Sequence, residues 1–152
     1  MDIEIIPRSV YSKISDKLLK KIDVSKLPLF GEKEIYKITA ERYGRVKIKL
    51  DVENDLDIIK KIREYDYLDN INDSKYNNYT YKWEVEEQKL PKGYEYYIKP
   101  EILNFIKILS VFSNNNAEIL RFSVVDGDFK DSERPAHTLC TILALIDLFD
   151  QI

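Results

Sequence analysis

The segment 45–52 constrains the fold of this chain more than any other part of the sequence. Apolar and charged side chains alternate strictly along it, with Val46, Ile48, Leu50 and Val52 placed between Arg45, Lys47, Lys49 and Asp51. Because successive side chains of a strand point to opposite faces, this alternation predicts a strand that is buried on one side only. Such a strand is stable only in a sheet that other elements cover on one face. The chain therefore needs further strands and a covering layer of helices.

Four segments have the helical spacing that a covering layer requires, namely residues 9–23, 55–66, 100–112 and 134–150. The first repeats an apolar residue every four positions from Val10 to Ile22, and Ser9 can serve as its N-cap. Asn54 or Asp55 can cap the second. The last helix is the most apolar, so we expect it to pack in the core, and self-association into a homodimer is its alternative role.

Period-two patterns predict further strands at residues 3–6, 34–40, 79–87, 94–99 and 117–125. Residues 43–44 supply the turn that joins 34–40 to 45–52 in a hairpin. Residues 90–93 join 79–87 to 94–99 in a second hairpin, and an Asn- and Asp-rich loop at 69–78 precedes it.

The order of these elements, β-α-β-β-α-β-β-α-β-α, predicts an α+β fold. In this fold about four helices cover a mainly antiparallel sheet of about five to six strands. We expect residues 1–152 to form a single domain, since domains of about 100–150 residues are the commonest size. A loose similarity between 34–66 and 79–113 would fit a weak internal duplication.

Composition excludes several classes of protein. With 152 residues, of which 44 % are apolar, the chain can bury a core, which excludes an intrinsically disordered protein. Cys140 is the only cysteine, so a disulfide framework is excluded as well. The acidic start, with Asp2 and Glu4, does not match a secretory signal. The longest apolar run, 139–149, is about half a membrane span and contains Asp147, so we expect a cytoplasmic protein with no membrane partner.

The formal net charge of −3 conceals an asymmetry along the chain. Residues 8–49 contain 12 basic and 5 acidic side chains, whereas residues 50–152 contain 12 basic and 20 acidic ones. The acidic residues concentrate in two clusters, at 51–73 and 126–133. Asymmetry of this kind can mark a charged partner, and the alternative interpretation is two solvated faces of a lysine-rich protein.

Aromatic residues are concentrated in the middle of the chain. Eight of the 11 tyrosines fall between Tyr65 and Tyr97, together with Trp83. Tyrosine is frequent in protein interfaces, because its ring buries a large area while its hydroxyl stays polar. Nucleic-acid bases could also stack on such rings, but Glu84 and Glu86 in the same segment would repel a phosphate backbone. The aromatic segment therefore favours a protein partner.

Two arrangements could carry catalysis or metal binding, and both have a simpler interpretation. His137 precedes Cys140 by three residues, which puts a base beside a thiol, but this helix is apolar enough for both to be buried structural residues. Residues 126–133 begin like a calcium-binding EF-hand loop. However, Lys130 and Asp131 stand where that motif needs an oxygen ligand and a glycine. We interpret the loop as an acidic turn and expect no metal and no cofactor.

One enzymatic interpretation is a divalent-metal-dependent nuclease. Glu87 and Lys89 have the Glu-x-Lys spacing of part of such a site, and Asp73 could supply a second carboxylate. With 34 % charged residues this spacing arises often by chance, and the 4 glycines are too few for a Gly-rich phosphate-binding loop. The sequence therefore favours a protein that is not an enzyme.

Together these features predict a non-enzymatic protein-binding module, an acidic inhibitor of a basic or mixed-charge protein. The role that we expect is that of the immunity protein of a bacterial toxin–immunity pair, which blocks the active site of a toxic nuclease. A nucleic-acid-associated protein that uses the basic residues 8–49 is the main alternative. The predicted partner-binding residues are acidic or aromatic: Asp51, Glu53, Asp55, Asp57, Tyr79, Tyr81, Trp83, Glu84, Glu86, Tyr94, Tyr96, Asp126, Asp128 and Asp131.

Overall fold

The predicted α+β fold is confirmed. A computed structural model describes residues 10–69, 78–111 and 118–152, in which four helices accompany a mixed, mostly antiparallel sheet of five strands. The strand predicted at 3–6 and most of the loop predicted at 69–78 lie outside the described residues. The single-domain organisation and the internal duplication stay predictions.

The strands are β1 (Leu29–Lys37), β2 (Arg42–Val52), β3 (Tyr79–Trp83), β4 (Leu120–Asp128) and β5 (Arg134–Pro135). Their order across the sheet is β1-β2-β4-β3, and β5 pairs with the start of β2. β2 is antiparallel to β1 and to β4, whereas β3 runs parallel to β4. The strand predicted at 45–52 is thus central to the sheet.

The helices are α1 (Ser15–Leu18), α2 (Leu56–Asp69), α3 (Glu95–Val111) and α4 (His137–Phe149). The prediction of a helix over 9–23 is wrong in its length, because a 3₁₀ turn at Tyr11–Ile14 leads into the single turn of α1. The φ of −115° and ψ of 19° at Ile14 interrupt the helical backbone. The apolar spacing is nevertheless correct, since Ile14, Leu18 and Ile22 are all buried in the core. No described helix is long and apolar enough to cross a membrane.

β1 and β2 form the first predicted hairpin, but its turn lies earlier in the chain than predicted. The chain reverses at a 3₁₀ turn over Ile38–Ala40 and at Glu41, whose φ is 52°. The predicted turn at 43–44 is part of β2 instead. A Cβ on Gly44 would lie 3.1 Å from backbone atoms of Ala136 and His137, so this glycine lets the start of α4 pack closely on β2 and does not form a turn.

The second predicted hairpin is wrong, because residues 95–99 form the start of α3 and Tyr94 ends a 3₁₀ turn that leads into it, so no strand forms there. The apolar alternation there coincides with helical spacing, since Ile98, Ile102 and Phe105 lie on one side of α3 and are fully buried. Burial of this helical stripe outweighs the alternation. β3 therefore reaches its parallel neighbour β4 through α3, as a parallel pair requires a crossover connection.

The sheet has a core face and an outer face. Val46, Ile48 and Leu50 of β2 are fully buried on the core face, as their alternation predicts. α4 packs closely on this face, and Gly31 makes room for it, because a Cβ on Gly31 would lie 2.0 Å from the carbonyl oxygen of Ala144. The outer face carries the alternate side chains of the same strands, many of them charged.

Candidate functional site

Glu53, one of the predicted acidic site residues, is engaged inside the protein. It is 3 % exposed, and its carboxylate lies 2.8 Å from the guanidinium of Arg121 in β4. The carboxylate also accepts a hydrogen bond of 2.7 Å from the Thr80 hydroxyl and further bonds from the backbone amides of Asn54 and Asp55. We call Glu53, Thr80 and Arg121 the Glu53 cluster. It fixes the chain between β2 and α2 against β3 and β4.

The other predicted acidic residues of this region divide between internal and exposed positions. Asp55 caps α2 as predicted, since its Oδ1 accepts from the backbone amides of Asp57 at 3.0 Å and Ile58 at 3.3 Å. Asp57 is exposed in the first turn of that helix. Asp51 lies on the outer face of the sheet, with its carboxylate 3.7 Å from the ammonium of Lys49.

Most of the predicted aromatic site residues pack within the protein. Tyr79 is buried, and Tyr81 and Trp83 are half-buried on the core side of β3. Tyr94 is also half-buried, in a separate group of aromatic rings. Among these five predicted residues Tyr96 is the one that is mainly exposed, at 78 %. These five residues therefore supply more core packing than exposed surface.

Two more predicted carboxylates follow β3. That of Glu84 lies 3.6 Å from the Lys82 ammonium and 3.9 Å from the Arg121 guanidinium, so it adds to the charge balance of the Glu53 cluster. Glu86 is exposed and accepts a hydrogen bond of 2.9 Å from the side chain of Gln88.

Asp126 and Asp128 of β4 come together with two acidic residues of β1. On the outer face, Glu32 and Glu34 lie across β2 from this pair, and Arg45 of β2 lies between the two sides. Arg45 Nη1 is 2.6 Å from the Glu32 carboxylate and 3.2 Å from that of Asp126. Four carboxylates therefore surround one arginine, which pairs with two of them.

The hydroxyl of Tyr43 contacts the remaining two carboxylates. It lies 2.7 Å from Glu34 Oε2 and 3.2 Å from Asp128 Oδ2. A phenol has a single proton, so it donates to one of these carboxylates at a time. Burial, the hydrogen bond to Glu34 and the charge of Asp128 raise the pKa of Tyr43 well above its ordinary value, which keeps that proton in place. In the described part of the chain, no cation lies within ion-pair distance of either carboxylate.

An exposed ring and an ammonium group complete this arrangement. Tyr36 is 47 % exposed and meets the Tyr43 ring edge-on, with the centroids 5.6 Å apart. Lys130 Nζ lies 4.7 Å from the Tyr36 centroid and 5.0 Å from that of Tyr43, where the negative ring faces attract a cation. We call Glu34, Tyr36, Tyr43, Asp128 and Lys130 the Tyr43 cluster. It joins two carboxylates to rings that already hold an ammonium group.

Neighbouring groups shift the pKa values of residues next to the Tyr43 cluster. Burial alone would raise the pKa of Asp126, but hydrogen bonds from Arg45 and from the Gly127 amide outweigh it and lower that pKa. Burial, followed by the charge of the exposed Asp131, raises the pKa of Tyr94. At neutral pH Asp126 is therefore ionised and Tyr94 is protonated.

The residues considered for catalysis or metal binding do not form a reactive pair. His137 is 1 % exposed, its Nε2 lies 2.8 Å from the backbone oxygen of Asp128, and burial lowers its pKa. Burial raises the pKa of the Cys140 thiol to about 11, so its thiolate is scarce at neutral pH. Glu87 accepts a hydrogen bond from the Lys92 amide, and Asp73 lies outside the described residues. In the described ranges no group of three His, Cys, Asp or Glu side chains could hold a metal ion.

The predicted set lacks Tyr43 and Lys130 of the Tyr43 cluster, and it also lacks three residues of β1, namely Glu32, Glu34 and Tyr36. These three residues were missed because residues 8–49 have a net positive charge. That charge is a sum along the chain and does not show which side chains lie together on the outer face of the sheet. The signal that could have found them is the alternation along β1, which puts Phe30 and these three side chains on one side of the strand.

No protein-family model matches the chain, and no curated protein matches it.

Proposed function

We propose that the chain is a non-enzymatic protein-binding module that binds a basic or mixed-charge protein through the Tyr43 cluster. The observation that carries this proposal is the convergence of the Glu34 and Asp128 carboxylates on one phenol. Two carboxylates in such proximity repel each other, and a lysine or arginine from a partner would relieve the repulsion. Hydrogen bonds from that cation would be charge-assisted and hence stronger than bonds between neutral groups.

The surface around the Tyr43 cluster supports a protein as the partner. The rings of Tyr36 and Phe30 are both partly exposed on β1. Lys47 Nζ lies 4.9 Å from the Phe30 centroid, and Arg45 is held between two carboxylates nearby. Aromatic and arginine side chains contribute much of the binding energy of protein interfaces, and a pattern of mixed charge selects a partner with the complementary pattern.

The biological role that we propose is inhibition of a toxin, with the chain as the immunity protein of a bacterial toxin–immunity pair. The active site of a nuclease is basic because it binds phosphates, so carboxylates can occupy the positions of the substrate phosphates. Complementary charge also accelerates the association of two proteins. In this role the chain would act in the cytoplasm, with the toxin as its partner.

The test is to co-express the chain with the product of the neighbouring gene and to measure the affinity of the complex by isothermal titration calorimetry. The double variant Glu34→Gln/Asp128→Asn removes both charges of the cluster and keeps the side-chain sizes. We expect its dissociation constant to rise at least about tenfold, because a hydrogen bond to a charged group contributes about 1.5–3 kcal/mol. The control Asp16→Asn/Asp150→Asn removes two exposed carboxylates elsewhere and should bind as the wild type does.

Two results distinguish an error in the assigned binding site from an error in the proposed function. A complex that forms equally well with both double variants would contradict the assignment of the Tyr43 cluster. Failure of the wild-type chain to bind that gene product, or any protein of its own host, would contradict the proposed function itself. Where the partner is a nuclease, the wild-type chain should inhibit cleavage at an equimolar ratio, whereas Glu34→Gln/Asp128→Asn should inhibit only in excess.

A further inference from the structure

A cavity at another place in the molecule, where α1 leads into β1, combines basic and apolar side chains. Its lining includes Lys20, Lys21, Lys26, Ile22, Leu29 and Ile152. Its volume is about 180 Å³. One water molecule needs only about 10–15 Å³ on this measure, whereas sites for drug-sized molecules occupy about 300–1,000 Å³. The cavity is therefore large enough for an anionic group with a small organic substituent, but smaller than the usual site for a drug-sized molecule.

Three lysines and one carboxylate, that of Asp23, line this cavity. Considering the described residues only, Lys20, Lys21 and Lys26 take part in no ion pair. The Asp23 carboxylate accepts hydrogen bonds from the backbone amide and the hydroxyl of Ser25, at 3.0 and 2.7 Å, and keeps its charge, so it offsets one of the three positive charges and leaves the lining with a net positive charge. Like charges around one cavity repel one another, and a bound anion would offset this repulsion.

The floor of the cavity is apolar and held in place. Ile22 is buried, and Leu29 and Ile152 are partly buried against the core. Lys17 Nζ donates a hydrogen bond of 2.6 Å to the backbone oxygen of Ile152, which fixes this residue beside α1. A ligand that fills the cavity would therefore have a charged part facing the lysines and an apolar part on the floor.

We infer that this cavity binds a small phosphate monoester. Its phosphoryl group lies among Lys20, Lys21 and Lys26, and its organic substituent contacts Ile22 and Leu29. A phosphate monoester carries about 1.5 to 2 negative charges near neutral pH and three strong acceptor oxygens, so it can engage three ammonium groups. A carboxylate or a sulfate monoester carries only one charge and matches them less well. The inference is independent of the proposed function, because the cavity shares no residue with the Tyr43 cluster.

The test is an NMR titration of the isotope-labelled full chain with phenyl phosphate. We expect saturable shifts at the backbone amides that line the cavity, and weaker binding of phenyl sulfate. Lys20→Ala/Lys21→Ala should weaken phenyl phosphate binding at least about tenfold, since ammonium–phosphate contacts are charge-assisted hydrogen bonds. Lys60→Ala/Lys61→Ala, the matched control on α2, removes the same charge from another exposed pair and should bind as the wild type does.

Three results would overturn this inference: no saturable shift, phenyl sulfate binding as tight as phenyl phosphate binding, or the same loss of affinity in both double variants. Tighter binding of a single-stranded oligonucleotide at the same amides would also overturn it and would assign the cavity to a nucleic-acid backbone. The four substituted lysines are exposed, so each variant should keep the wild-type peak pattern elsewhere. If Lys20→Ala/Lys21→Ala does not, the single variant Lys26→Ala should show the weakened binding.

Discussion

The Glu53 cluster and the Tyr43 cluster lie near opposite ends of β4 and hold their carboxylates in different ways. The buried carboxylate of Glu53 meets an arginine and three hydrogen-bond donors. The exposed carboxylates of Glu34 and Asp128 share the single hydroxyl of Tyr43. The first cluster is closed, because its charge is neutralised within the fold. The second is open, because its charges can still gain from a partner.

The difference between the two clusters shows that the sequence of an acidic segment does not tell whether its carboxylates stabilise the fold or are available to bind a partner. Residues 51–57 and 126–131 look alike in sequence, since each contains several carboxylates within one short segment. What distinguishes them is a tertiary contact, because Arg121 reaches Glu53 from 68 residues further along the chain. An acidic segment therefore becomes a candidate binding site only once its internal counter-charges are known.

The largest loss of unfolding free energy is expected from Glu53→Gln, which removes the carboxylate charge at the centre of the closed cluster. The Arg121 side chain is 10 % exposed and would keep its charge without a full counter-charge. Removing one partner of a buried ion pair costs about 3–5 kcal/mol of unfolding free energy, which urea denaturation followed by circular dichroism would measure. The exposed control Glu86→Gln should change the free energy by less than about 0.5 kcal/mol. A loss as small as that of the control would show that the Glu53 cluster is not closed.

A smaller effect is expected from Tyr43→Phe, which removes the donor that the open cluster shares. The unfolding free energy should fall by about 1 kcal/mol, which is typical of one hydrogen bond. Tyr36→Phe, which removes a hydroxyl from the exposed neighbouring ring, serves as the control and should cost less than about 0.5 kcal/mol. Equal losses in thermal or urea unfolding of the two variants would mean that the Tyr43 hydroxyl does not hold the two carboxylates.

Asp126→Asn should change the pH dependence of stability. The pKa of Asp126 is lowered in the folded protein, so its ionised form contributes stability above the unfolded-state pKa of about 3.9, and this contribution is lost as the pH falls through the folded-state pKa. Because Asp126 and Arg45 are partly exposed, the variant should be less stable than the wild type by no more than about 1 kcal/mol at neutral pH. The difference should shrink in acid. Urea titrations over a pH series that give a constant difference would refute this expectation.

The smallest effect on stability is expected from Glu34→Gln/Asp128→Asn, which removes the charges of the open cluster. Both new amides can still accept the Tyr43 proton, and no described cation loses a partner, so the unfolding free energy should stay within about 0.5 kcal/mol of the wild type. At low ionic strength the variant should be the more stable of the two, and salt should reduce the difference by screening the wild-type repulsion. A loss comparable to that of Glu53→Gln would show that the second cluster is structural too.

The fold class could be predicted from the sequence because two segments have apolar patterns that fit only one kind of element. One pattern fits a strand that is buried on one face, and the other fits a helix that is packed in the core. The alternation at 45–52 requires a covered sheet, and the apolar helix near the end of the chain supplies part of the cover. Residues 94–99 could not be predicted correctly, because their pattern fits both a strand and a helix. Burial of Ile98 together with Phe105 favours the helix, and that burial depends on the rest of the fold.

The candidate site could be predicted only in part. Asp126 and Asp128 belong to an obvious acidic segment, whereas Glu34 and Tyr36 come from a segment with a net positive charge. These two side chains join the site only in the observed register of β1 against β2. That register follows from a hairpin turn that ends at Glu41, and local turn signals do not identify this position.

The most direct measurement of the central claim is the affinity of Glu34→Gln/Asp128→Asn for the partner, taken together with the stability of the same variant. We expect the dissociation constant to rise at least about tenfold while the unfolding free energy stays within about 0.5 kcal/mol of the wild type. Unchanged affinity in this folded variant would contradict the claim that the open cluster is where the partner binds.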